Sequence, residues 1–291
     1  MVEKRAMVTQ AQGRGLSQRQ ACRLAKVTRS SVRYVAHSHD DQLLSDQALK
    51  ERLEQLKVKH PRFGSPRIHA LLKQEMKAYG QAINHKRVER IWRKSGLQVP
   101  QRPKKRKIKT GRTVSPQAAH PNHVWSYDFQ ADALVSGRKL RLLNVLDEFT
   151  REWLSVTVGV SLTSQAVLTA LQSLFASWGV PRFVRSDNGP EFIAAEVQEW
   201  LRQNGSAPHF IDPGCPWQNG FLESFHGKLR DELLDREVFV SVAEAQTCLE
   251  THQHWYNEGR PHSSLHYVSP ATFARSWRQE QQRQGTIEPP V

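Results

Sequence analysis

The 291-residue sequence lacks the features that mark several broad classes of protein. It has three cysteines, Cys22, Cys215 and Cys248, none paired at a metal or redox spacing. That excludes a disulfide framework and fits a reducing cytosol. No run approaches the roughly 18 apolar residues that span a bilayer, so no membrane partner is expected. Met1 to Gly15 is polar and basic with no apolar h-region, so a secretory signal is missing too. Acidic residues are scarce at the start: residues 1–120 hold 8 Asp and Glu against 28 Lys and Arg, a net of +20. Residues 121–291 reverse the balance, with 20 acidic against 14 basic residues and a net of −6. A formal charge of +14, segregated in this way, suits nucleic acid. The basic part supplies phosphate contact, and the acidic part needs cations near its site.

What is present first is helical punctuation. Ser17 and Gln20 have capping-box spacing, followed by an apolar face of Ala21, Leu24 and Ala25. Val27 falls in a turn and Thr28 can cap a second helix. That helix turns Val32 and Val35 inward and Arg29, Ser30, Ser31 and Arg33 outward. Such a pair suits a helix-turn-helix with Arg29, Ser30 and Arg33 on DNA. After a polar stretch at 37–48, Leu49, Leu53 and Leu56 space out a helix over 47–60. Ser65-Pro66 starts another, with Ile68, Leu71 and Leu72 buried. Asn84 caps a third, in which Val88, Ile91 and Trp92 face inward and His85, Lys86, Arg87, Arg90 and Arg93 face out. This second module offers His85, Lys86, Arg87 and Arg90 to DNA. Gln101 to Arg112 then holds seven Lys and Arg, including Lys104, Lys105, Arg106 and Lys107. Such a run cannot bury itself, so it reads as a basic linker tracking a DNA backbone.

From His120 the pattern changes. Strands are expected at 124–130, 138–147 and 151–158, a helix at 163–178, and a strand at 182–187. A helix at 191–204, a strand at 208–211 and helices at 217–234 and 242–257 complete the order. This is a mixed α/β arrangement, and it fits a mixed five-stranded sheet flanked by helices. Three carboxylates stand out in it. Asp128 interrupts the apolar run from Val124 to Phe129, where an unpaired carboxylate is costly to bury. Asp187 ends the Phe183-Val184 strand, and Asn188-Gly189 makes the turn that aims it. Glu223 lies on a helix whose buried stripe is Leu222, Phe225, Leu229 and Leu233. Converging, the three could hold a pair of hard divalent cations, for which oxygen ligands are suited. Arg230, seven residues on, falls about 20° from Glu223 around the helix and would place a guanidinium for phosphate. Asn188 and Lys228 are further candidates for DNA contact. Trp125 reads as core. The histidines from His252 to His266 lack a cysteine pair for zinc.

Thirty-five residues separate Asp187 from Glu223. With the words Ser186-Asp187-Asn188-Gly189-Pro190-Glu191-Phe192, Asn219-Gly220-Phe221-Leu222-Glu223-Ser224-Phe225 and Tyr256-Asn257-Glu258-Gly259-Arg260-Pro261-His262, the chain resembles the second-frame transposases of the IS-three type of insertion sequence. These sit within the retroviral-integrase superfamily, and the likeness runs over nearly the whole chain. The resemblance implies a ribonuclease-H-like catalytic fold preceded by small all-helical helix-turn-helix modules. The expected division is a helix-turn-helix at 1–40, a second helical module at 41–100 and a linker at 101–119. A catalytic domain at 120–275 and a polar tail at 276–291 follow. It implies a metal-dependent polynucleotidyl transferase with two Mg²⁺ or Mn²⁺ ions, Asp128 bridging them, Asp187 completing one site and Glu223 the other. It also implies double-stranded DNA partners (terminal inverted repeats and target), a homo-oligomer in the synaptic complex, and a possible upstream-frame protein or fusion. The location it implies is the bacterial cytoplasm, on the nucleoid when bound. The family's usual Lys is Arg230 here, and its frequent Trp or Asn after the glutamate is His226. Two other classes remain open: a DNA-binding regulator with an inactive catalytic domain, and a structure-selective nuclease that cuts without joining.

Overall fold

The basic first part of the chain is helical. In the computed structural model, which describes residues 2–33, 45–100, 116–212 and 215–285, the chain forms two compact units, Met1–Ala48 and Leu49–Val291. The first unit holds α1 (Val2–Gly13), α2 (Gln18–Leu24) and α3 (Arg29–Arg33). The capping box is made: Gln20 N donates to Ser17 Oγ and Ser17 N to Gln20 Oε1. Thr28 Oγ1 caps α3 by accepting from Ser31 N at 3.2 Å. Val8, Ala21, Cys22 and Ala25 form the core, with Val27 and Val32 against it. The expected role of Leu24 is corrected, since it is 73% exposed. The buried arc of this short helix is Ala21, Cys22 and Ala25, and Leu24 falls to its side. Helix α1 was not foreseen, and its Val8 closes the core. Val35 and the side chain of Arg33 lie outside the described residues.

The second module contains α4 (Asp46–Lys59), α5 (Ser65–Ala78) and α6 (His85–Lys94). Asn84 caps α6 by accepting from Lys86 N at 2.9 Å. Leu49, Leu53, Leu56, Ile68, Leu72, Val88, Ile91 and Trp92 are buried as the spacing predicts. The basic residues of the linker, Lys104 to Lys107 among them, lie outside the described residues.

The remainder of the second unit is built on a five-stranded sheet in the order β3-β2-β1-β4-β5. Its strands are β1 (Val124–Ala133), β2 (Lys139–Asp147), β3 (Trp153–Gly159), β4 (Phe183–Ser186) and β5 (Ala207–Phe210). The first three pair antiparallel, and β1, β4 and β5 run parallel. One face carries Trp125, Tyr127, Leu143 and Val145 against α7 (Ser164–Trp178) and the following helices. There the expected helix at 191–204 divides into α8 (Pro190–Ile193) and α9 (Ala195–Gln203), because Ala194 is extended with ψ 130°. The other face carries Leu140, Leu142 and Leu146 against Leu222, Phe225, Leu229 and Leu249. These last come from α10 (Gly220–Leu229) and α11 (Val242–Glu258). A 3₁₀ turn at Pro216–Asn219 leads into α10, and a π turn at Arg230–Leu234 ends it. A final helix, α12 (Pro270–Arg283), was not anticipated. Ser269 caps it, and its Phe273 and Trp277 pack on Phe149. No helix of the described residues is long and apolar enough to cross a membrane.

Candidate active site

The two-residue period of β1 decides where Asp128 goes. Trp125, Tyr127 and Phe129 enter the core on the α7 side, so Ser126, Asp128 and Gln130 point to the side covered by α10. Gln130 Nε2 donates to the carbonyl of His226 at 3.1 Å, which fixes α10 over this strand. Asp128 itself pairs in register with Asn144 of β2. Asp187 is the first residue beyond β4, whose Arg185 lies beside Ser126 of β1. Parallel pairing therefore brings the end of β4 alongside the middle of β1. Asp187 Oδ1 accepts from Gly189 N at 2.9 Å, closing a tight turn. A Cβ at Gly189 would stand 3.1 Å from that same oxygen and 3.2 Å from Phe192, a tight fit that a larger residue would meet only by shifting its neighbours. Asn188 is exposed and donates to the Ile211 carbonyl, which ties the turn to the end of β5. Glu223 lies exposed in the first turn of α10.

Electrostatics ties the three carboxylates together. The carboxyl of Asp128 is pushed up to about 7, by burial first, then by repulsion from Asp187, with a further push from Glu223. Its bond from Phe129 N, at 2.7 Å, opposes the shift without cancelling it. Three acidic groups thus share one field, and their oxygens are the donors a hard divalent cation takes. As the side chains stand, no three His, Cys, Asp or Glu of the described residues converge on one ion position. The donor chemistry and the uncompensated repulsion fit a divalent ion; Glu223 is the exposed member, at the helix surface.

Asn144 was not foreseen as a site residue, and His226 stood out only as a departure from the family pattern, without a role. Asn144 is fully buried, and its Nδ2 stands 3.2 Å from His226 Nε2. The ring's other nitrogen, Nδ1, faces Asp128 Oδ2 at 3.9 Å. Burial, and then Arg230, push the imidazole down to about 4, so it is neutral near pH 7. With the Asn144 amide donating to Nε2, the ring proton sits on Nδ1 and points at Asp128. The signal was available: Asn144 breaks the run from Leu142 to Leu146, as Asp128 breaks its own.

The expected DNA-contacting residues divide. Arg29, Ser30, His85, Lys86 and Arg90 are exposed. Arg87 is half-buried and has an interaction of its own. Arg230 differs from the expectation of an open phosphate ligand. Its Nη2 donates to the Ala131 carbonyl at 2.5 Å, and its Nη1 lies 3.7 Å from Asp235. The π turn explains the second contact, because five-residue spacing aligns Arg230 with Asp235. Lys228 is half-buried beside a cavity next to α10. Trp125 is core, fully buried with Nε1 donating to Asn122 Oδ1. The histidine-rich stretch is structural: His262 is buried, pushed down to about 2 by burial and by Arg260.

Comparison with known proteins gives this geometry a family. Residues 44–105 match the HTH-like domain, and residues 118–216 and 204–270 match two integrase core domain families. A 31.7 kDa protein of insertion element IS407 from Burkholderia multivorans is 38% identical over 264 residues, covering 90% of this chain and 92% of that one. The transposase InsD of the IS2 elements of Escherichia coli is 28% identical, over 94% of this chain and 95% of its own. In fold alone, the chain resembles a solved simian T-cell lymphotropic virus intasome in complex with PP2A regulatory subunit B56 gamma. There the TM-score is 0.50 at 16% identity, over 77% of this chain and 74% of that one. A sheet of ribonuclease-H-like order, a helical DNA-binding module and relatives matched end to end lead to one assignment: the chain belongs to the IS-three family of insertion-sequence transposases and serves DNA transposition.

Proposed function

We propose that Asp128, Asp187 and Glu223 form the catalytic centre, holding two Mg²⁺ or Mn²⁺ ions and carrying strand cleavage and strand joining at insertion-sequence ends. The observation that carries this reading is the raised carboxyl of Asp128, driven by burial together with Asp187 and Glu223. Three acidic groups brought within one another's field from the middle of one strand, the end of another and a helix have no structural use that their repulsion would serve. In the proposed division of roles Asp128 bridges the two ions, Asp187 completes one site and Glu223 the other. Bound there, the ions would activate the attacking oxygen and stabilise the leaving one in an in-line displacement. Asp128 is held in place by the backbone of β1 and by its own Phe129 N–H. Asp187 is held by the Gly189 turn. His226 orients Asp128 from the α10 side without contacting the reacting atoms.

The basic residues on α3 and α6 (Arg29, Ser30, His85, Lys86, Arg87, Arg90) and the linker around Lys104–Lys107 are proposed to hold the duplex of element ends and target. Arg33 is proposed to join the contacts of α3; Asn188 and Lys228 are proposed to add contacts nearer the cut strand, with Arg230 through the part of its guanidinium that the Ala131 carbonyl leaves open. The working form is proposed to be a synaptic homo-oligomer on DNA in the bacterial cytoplasm, acting alone or joined to an upstream-frame product. The test is substitution: Asp128→Asn, Asp187→Asn and Glu223→Gln should each reduce strand cleavage and joining to background while end binding persists. Undiminished joining in any one would remove that residue from the centre. Cleavage without joining by the unaltered protein would favour a nuclease instead.

A further inference from the structure

A second site lies on the side of α10 that Ser224 and Lys228 face. It is a cavity of about 390 Å³ between the 3₁₀ turn before α10, the turn joining β2 to β3, and the segment after α11. Its charged groups are unequally satisfied. Asp147 accepts from the N–H groups of Asn122, Phe149 and Thr150. Glu148 is buried and gripped by Arg185 through both oxygens, at 2.7 and 2.8 Å. The two cationic side chains in the wall are held less closely, although Glu148 and Asp147 attract Arg151 from the same wall. Arg151 Nη1 is buried with no hydrogen-bond partner among the described residues. Lys228 makes no ion pair among them. Its amine is held down to about 8, by burial and then by the cations Arg260 and Arg67, against the pull of Glu232. Arg151 is also held in a left-handed backbone conformation, φ 63°, which a non-glycine residue adopts at a cost. That conformation sets its guanidinium 3.8 Å from the centre of the Phe221 ring. Trp217, at the same mouth, is 47% exposed and Phe221 41%.

A buried guanidinium nitrogen without an acceptor and an unpaired ammonium inside a cavity can take an anion, and exposed aromatic side chains at its rim can take a flat apolar group. A nucleotide has both. We infer that this cavity takes one unpaired nucleotide of a DNA strand, its phosphate on Arg151 and Lys228 and its base against Trp217 and Phe221. Because Ser224 follows Glu223 directly, a strand entering here leaves the duplex beside the proposed centre. The inference rests on the transposase reading for its choice of DNA, and it adds a place where an end is opened and one base is held out of the stack. A double-stranded backbone alone would use the cations but leave both aromatic rings idle.

The experiment is photocrosslinking with the full chain. The probes are a single-stranded oligodeoxynucleotide carrying one iodouracil and a fully paired hairpin of the same sequence. Crosslinks from the single strand are expected at Trp217 or Phe221, with the hairpin giving them about tenfold less. Trp217→Ala and Lys228→Gln should each lower the single-strand yield at Phe221 by about tenfold, with melting curves confirming the fold. If Lys228→Gln fails to fold, the exposed Trp217→Ala carries the test alone. Crosslinks confined to other segments, or equal yields from both probes, would overturn the inference. Asp187→Asn should leave the crosslink unchanged. A protein that joins strands without this crosslink therefore rejects the cavity alone, and one that crosslinks here without joining strands rejects the transposase reading alone.

Discussion

At the scale of single residues, the arrangement around Asp128 separates ligands from the groups that aim them. A carboxylate between two other acidic groups can rotate away from them, and the Nδ1–H of His226 opposes that rotation. Asn144 in turn holds the imidazole from its other nitrogen. Loss of an outer partner of this kind typically costs about 10- to 100-fold in activity or metal affinity. His226→Phe is therefore expected to lower the joining rate by about that factor and to raise the Mg²⁺ concentration needed for half-maximal rate. Asn144→Leu should do the same, and the double substitution should cost little more than either single one, since both act through one ring. Additive losses in a Mg²⁺ titration would separate the two residues. His226→Asn, which keeps a donor, should recover part of the loss.

At the scale of elements, the parallel junction of β1 and β4 is held by a buried ion pair. Arg185 of β4 grips Glu148 in the turn after β2, and Ser126 of β1 and the Pro116 carbonyl complete the set. Burial drives the Glu148 carboxyl above its ordinary range even against the pull of Arg185. Removing one partner strands the other charge inside the protein. Arg185→Met should therefore cost about 3–5 kcal/mol of stability, read as a lowered denaturant midpoint. Arg185→Lys should recover only part, since one ammonium cannot hold the Glu148 carboxylate and also reach the Pro116 carbonyl that Nη2 bonds. What the sequence disclosed follows the same physics. Helices with clean periodicity, such as α7 and α10, stood out because one face of each is buried, and β2 stood out as an apolar run because both its faces are. The turn at Asp187 stood out because Asn188-Gly189 admits few other conformations. The break at Ala194 left no trace, as alanine favours a continuous helix and only packing of α8 and α9 divides them. Helix α12 was hidden by polar composition, although Ser269-Pro270 is a fair start signal. The partnership around Asp128 was hidden because Asn144 and His226 lie 82 positions apart, and only the packing of α10 on the sheet brings them together.

At the scale of the whole second unit, the helical module of α4 to α6 is not strung loosely beside the catalytic part. Phe63, fully buried, stacks with His60 at 4.8 Å and lies 6.2 Å from Trp255 of α11. The guanidinium of Arg260 stands over the same ring at 5.4 Å, while both its ends hold Glu232 in the π turn. Arg62 reaches Asp231 at 3.5 Å, and Arg236 donates to the Lys59 carbonyl at 3.0 Å. Phe63→Ala should undock the module and cost about 3–5 kcal/mol, seen as new protease cuts between α4 and α5. The same contact carries a pH dependence. His60 and His252 flank Trp255, and both are pushed down to about 4. Burial is the first cause for each; Arg236 and Arg260 add to it and Glu232 opposes it, with Lys59 adding to the shift of His60 alone. A histidine that stays neutral when folded but takes a proton when unfolded favours the unfolded state as pH falls. Stability from these two groups is complete above the ordinary value of 6.5 and is lost as pH drops from 6.5 towards 4. Protease sensitivity around Phe63 should therefore rise across that window. His252→Gln, which takes no proton, should flatten the rise, and a wild-type profile unchanged from pH 7 to pH 4 would show that the two histidines do not govern the docking.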